Sequence, residues 1–85
     1  MHTDNLNIIK LVQIVGEQEL SVKDIMEGLG LKDRKNVLNL YLNPAVSDGY
    51  IRLLFPQSPR HPRQKYLLTV KGLAIYNELP TINNQ

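Results

Sequence analysis

The sequence contains no cysteine. That excludes disulfide staples and thiolate metal sites, and it fits a reducing compartment, the cytoplasm. No apolar run reaches the roughly 18 residues that a membrane-spanning helix needs, so no membrane association is expected. The opening MHTDNLN lacks the basic start and apolar block of a secretory leader. The histidines are His2 and His61 alone, so no metal site is expected. There is no Ser-His-Asp set, no glycine-rich phosphate loop and no carboxylate pair in the basic half. Neither catalysis nor a cofactor is therefore expected of these residues.

What is present suits one small domain. With 85 residues, 42% hydrophobic and 21% charged, the chain can bury one core but not two. Residues 1–79 are read as that domain and residues 80–85 as a frayed tail. The net charge of +2 conceals an uneven distribution. In residues 1–31, Lys10 and Lys23 stand against five acids, a balance of −3. In residues 32–71, eight cations stand against Asp33 and Asp48, a balance of +6. A cationic middle of this kind points to an anionic partner.

Hydrophobic spacing predicts a helix over 5–15, with Ile8, Leu11, Val12 and Val15 on one face and Gly16 ending it. Ser21 with Asp24 three residues on forms a capping pattern for a second helix, which buries Val22, Ile25, Met26 and Leu29 and is stopped by Gly28 and Gly30. A third helix starts at the cap Asp33 and carries Val37, Tyr41, Leu42 and Ala45 inward. Pro44 is expected to end or kink it near Leu42, because proline has no N–H to donate. Gly49 suits a left-handed cap. Residues 50–55 (YIRLLF) and 65–69 (KYLLT) read as strands. Thr69 caps a last helix, with core positions among Val70, Leu73, Ala74 and Tyr76, and Pro80 stops it.

Three helices, two strands around a long loop and a closing helix make a winged helix-turn-helix, mainly α with a small β hairpin. The loop is the wing, whose tip need not pack on the core. On the third helix, Arg34, Lys35, Asn36, Asn39 and Asn43 form a candidate DNA-reading face, since arginine pairs with guanine and asparagine with adenine. On the wing, Arg60, His61, Arg63 and Lys65, with Lys71 beyond it, are candidate phosphate contacts. The plainer alternatives are a solvated helix face and a solubilising loop. Gln64 is placed to satisfy backbone groups at the wing base, and Tyr66 to pack inward. Arg34 also stands beside Asp33, where an ion pair would hold the turn. Ile9, Ile14, Leu38 and Leu40 add apolar surface, which suggests a homodimer or a neighbouring domain as a second class of partner.

The runs LGLKDRKNVLNLYLNPAVSDGYI (29–51) and PQSPRHPRQKYLLTVKG (56–72) resemble the winged-helix domain at the C-terminus of bacterial Fic-like proteins. The same runs are similar to the end of RecG-related and AlbA-type (Schlafen-like) regulators. Leu31, Asp33, Arg34, Asn36, Tyr41, Leu42, Pro44, Ala45 and Gly49 carry the first half of the likeness. Pro56, Pro59, Arg63, Gln64, Lys65, Tyr66 and Thr69 carry the second. Leu38 and Leu40 depart from it, standing where polar residues are expected. The resemblance implies a transcription-regulating DNA module that sits behind a larger domain. Any helicase or adenylyltransferase activity would lie in that larger domain, whose motifs are absent from this chain.

Overall fold

Asn5 begins the first helix. In the computed structural model, which describes residues 3–79, its side chain accepts hydrogen bonds from the Asn7 and Ile8 amides. Helix α1 (Leu6–Val15) then buries Ile8, Leu11, Val12 and Val15 completely. Ile9 and Ile14 are half-buried rather than forming an open second stripe. For Ile14 the reason is the approach of α2 (Val22–Leu29): a Cβ added at Gly28 would lie 2.8 Å from Ile14 Cγ2. Gly28 is thus a packing position and does not stop the helix. Gly30 does, at φ 71°, with Gly30 N–H donating to Glu27 O and Leu31 N–H to Met26 O. At the other end the Ser21 hydroxyl accepts from Asp24 N, as its spacing implies.

Asp33 Oδ1 accepts from the Asn36 amide and starts a rod that runs through Pro44 instead of ending before it. The rod is α3 (Arg34–Val37), a π-helical turn (Leu38–Leu42) and α4 (Asn43–Ser47). In the π-turn Asn43 N–H donates to Leu38 O, five residues back. A proline inside an α-helix clashes with the carbonyl four residues earlier and cannot donate to it. A widened turn relieves the clash. For Pro44 that carbonyl belongs to Leu40, and Asn7 Nδ2 from α1 donates to it at 3.1 Å. The expected break near Leu42 is therefore a bulge, and the rod is a full turn longer. Tyr50 N–H to Ala45 O and Gly49 N–H to Val46 O close it, with Gly49 at φ 83°.

Strands β1 (Ile51–Leu53) and β2 (Tyr66–Leu68) pair antiparallel, Ile51 opposite Leu68 and Leu53 opposite Tyr66. They are shorter than the apolar runs that announced them, although Leu54 N–H to Lys65 O adds one more rung. Leu20 supplies a third line of pairing, exchanging both backbone hydrogen bonds with Tyr66. A one-residue strand has no alternation and leaves no signal in the sequence.

Helix α5 (Val70–Glu78) docks through Gly72, Ile75, Tyr76 and Leu79, spaced three and four apart. Val70, at 85% exposure, and Ala74 lie on the outer side, so of the four expected candidates Leu73 and Tyr76 are the ones that pack on the core. The expected stop at Pro80 and the tail lie outside the described residues. Thr69 ties three elements together: its hydroxyl donates to Gly49 O and accepts from Gly72 N. Thr69→Ala is expected to cost about 1–2 kcal/mol. A thermal melt should show the midpoint lowered by roughly 5–15 °C.

Candidate nucleic-acid interface

The wing is built around one side chain. Gln64 is about nine-tenths buried. Its Oε1 accepts from Phe55 N at 2.8 Å and Lys65 N at 3.2 Å. Its Nε2 donates to Phe55 O at 2.8 Å, Ser58 O at 3.1 Å and Pro59 O at 3.4 Å. A single amide thus closes a loop rich in proline, which has few backbone donors of its own. His61 adds a second tie. Its ring stacks on Phe55 with centroids 3.9 Å apart, and its Nδ1 accepts from Arg63 N at 2.9 Å. The tip is therefore folded back on its own base, which leaves Arg60 and Arg63 exposed.

Between rod and wing lies a cleft of about 840 Å³. Its floor is apolar, from Leu38, Val46, Leu53 and Tyr66. Arg34 and Asn43 line it from the rod, and Arg60 and His61 from the wing. Burial pushes the Tyr66 phenol above its ordinary range, and the nearby Arg34 charge opposes that shift. Arg34 also borders a second hollow around the helix-turn-helix corner, with Lys23 and Lys32. These two lysines extend the cationic surface, and sequence reasoning missed them as site residues. Lys32 lies in the turn itself, two residues before Arg34, whereas Lys23 is at the start of α2 and only the fold brings it to Arg34.

The other expected site residues fall elsewhere. Lys35, Asn36 and Asn39 are exposed on the rod but do not line the cleft. Lys65 is half-buried at the wing base, and its backbone holds the hairpin. Lys71 is engaged structurally: Nζ donates to Asp48 O at 2.8 Å and sits 4.4 Å over the Tyr50 ring. Asp33 serves as a cap for Asn36 N. Leu38 is half-buried in the cleft floor, whereas Leu40 is 52% exposed. Among the described residues no group of three metal-ligating side chains comes together, and no helix is long and apolar enough to cross a membrane.

A helix-turn-helix whose third helix shares a cleft with a two-stranded hairpin defines a winged-helix module. Residues 7–69 match the family model described as "Filamentation induced by cAMP protein Fic-like, C-terminal domain", and the chain belongs to that family. Among solved structures it is similar to a Fic family protein from Desulfovibrio desulfuricans G20, at 43% identity and a TM-score of 0.72. The likeness covers 82% of this chain and 21% of that one, so this chain spans about a fifth of its structural relative. No curated protein matches the chain.

Proposed function

We propose that this Fic-like C-terminal module binds double-stranded DNA and serves as a targeting or regulatory element without chemistry of its own. One observation carries the reading: the cleft presents Arg34 and Asn43 from the rod opposite Arg60 and His61 from the wing. The rod offers polar side chains to base edges, and the wing offers guanidinium groups to phosphates. Because Gln64 already orders the wing, little conformational entropy is lost on binding. The surrounding balance of +6 in residues 32–71 draws a polyanion to that face.

On this reading the module acts in transcription regulation, as expected of RecG-related and AlbA-type regulators, with the cytoplasm of a bacterium as its setting. Adenylyltransferase or helicase chemistry would then belong to another part of a longer protein. A docking or dimerisation module is the other class. Leu6, at 69% exposure, and Leu40 favour it, but Ile9, Ile14 and Leu38 are already half-buried within the chain. The cationic cleft is the stronger feature.

Fluorescence anisotropy against a random duplex of about 20–30 base pairs tests the reading. Micromolar binding that weakens steeply with salt is expected. An Arg60→Ala/Arg63→Ala variant should lose about 1.8 from the slope of log affinity against log salt, roughly 0.9 per phosphate contact. No binding at low salt would overturn the proposal and favour docking through Leu6 and Leu40.

A further inference from the structure

Asn39 and Asn43 stand one turn apart on the exposed side of the rod, and Asn43 Nδ2 donates to Asn39 Oδ1 at 3.4 Å. That bond uses one amide hydrogen of Asn43 and sets which way its carboxamide faces. Among the described residues no other hydrogen bond engages this side chain. Asn43 keeps its Oδ1 and one N–H, an acceptor beside a donor. It is also the asparagine of the rod that lines the cleft, so this edge lies on the surface shared with the wing.

We propose that Asn43 reads an adenine in the major groove, with Asn39 as the residue that positions it. The inference rests on the DNA-binding reading above. Adenine presents the N7 acceptor and the N6 amino donor, which complement what Asn43 retains. Guanine presents two acceptors, N7 and O6, and would set a carbonyl oxygen against Oδ1. Thymine offers an acceptor and a methyl group, and cytosine a donor alone. An amide held in one orientation before binding discriminates among these without first losing rotamer freedom. Asn36, two turns before Asn43, lies outside the cleft, and among the described residues no neighbour holds its side-chain amide.

Selection from a random-sequence duplex pool tests this, using the whole chain beside Asn43→Ala, Asn39→Ala and Asn39→Asp. Both positions are exposed, and circular dichroism checks that each variant is folded. The parent should enrich one position for adenine by about 5- to 150-fold. Asn43→Ala should flatten that position. Asn39→Ala should weaken the preference. Asn39→Asp should retain it, because the carboxylate still accepts from Asn43, while its negative charge lowers affinity for every sequence. Binding without an adenine preference, or a preference that survives Asn43→Ala, overturns the readout and leaves the phosphate contacts standing. An Asn39→Ala variant as selective as the parent overturns the positioning role. A parent that binds no duplex overturns the readout together with the DNA-binding reading.

Discussion

Gly72→Ala is expected to be the most damaging single-methyl change in this protein. In an open helix the substitution would gain about 1 kcal/mol, because alanine is the better helix former. Here the sign reverses. A Cβ at Gly72 overlaps the Tyr50 carbonyl oxygen and comes within 3.2 Å of Leu68 Cβ. Both neighbours are tied down: Tyr50 O accepts from Thr69 N at 3.1 Å, and Leu68 is buried in the hairpin. Helix α5 must therefore lift from the hairpin, at a cost of about 3 kcal/mol or more. A domain this small has little stability in reserve, about 5 kcal/mol at the low end of the usual range. The thermal midpoint should fall by roughly 12–25 °C. Ala74→Gly, on the exposed side of the same helix, should cost only about 1 kcal/mol. A Gly72→Ala midpoint at or above the parent's would refute the close packing of α5 on Tyr50.

The second large effect concerns Gln64. Gln64→Ala removes five hydrogen bonds at once and leaves the Phe55 and Lys65 amides and the Pro59 carbonyl to find water, while the Phe55 and Ser58 carbonyls keep the Ser58 and His61 amides. Because the wing can hinge outward, those groups become hydrated and the global cost stays near 1–2 kcal/mol. The local effect is larger. Hydrogen exchange at the Phe55 and Lys65 amides should accelerate, since both donate to Gln64 Oε1. On the DNA-binding reading, re-ordering even one or two wing residues costs about 1–2 kcal/mol each, so affinity should fall at least about tenfold. Gln64→Glu separates the donor from the side-chain volume. At neutral pH its carboxylate would turn an oxygen, in place of Nε2, toward three carbonyls. Protonation restores one donor, so exchange protection in Gln64→Glu should return as pH falls, whereas Gln64→Ala should not recover. Equal protection in parent and alanine variant would show that the wing does not depend on this side chain.

Local chemistry made much of the fold legible. Ser21, Asp33 and Thr69 are small polar residues that satisfy the first free amides of a helix, and each caps one here. The face through Ile8, Leu11, Val12 and Val15 follows from the helical period alone. Gln64 was legible as a support for the wing base because a proline-rich loop needs an outside donor. Three features were not legible. Pro44 is locally a helix breaker, and only Asn7, 33 residues away from Leu40, completes the bulge that carries the rod past it. Val70 and Ala74 look apolar enough for a core, but the docking of α5 through Gly72 turns them outward. Lys23 joins Arg34 only because the turn brings α2 to the rod.

Where helices start, which residues line their inner faces, and that a cationic wing follows a helix-turn-helix could all be read from neighbouring residues. Capping and periodicity act over three or four residues, and such information is local. The tertiary structure decided which cations share a surface, which asparagine lines the cleft, and how a proline is carried inside a helix. Each of these depends on contacts between residues far apart in the chain, where packing overrides local preference.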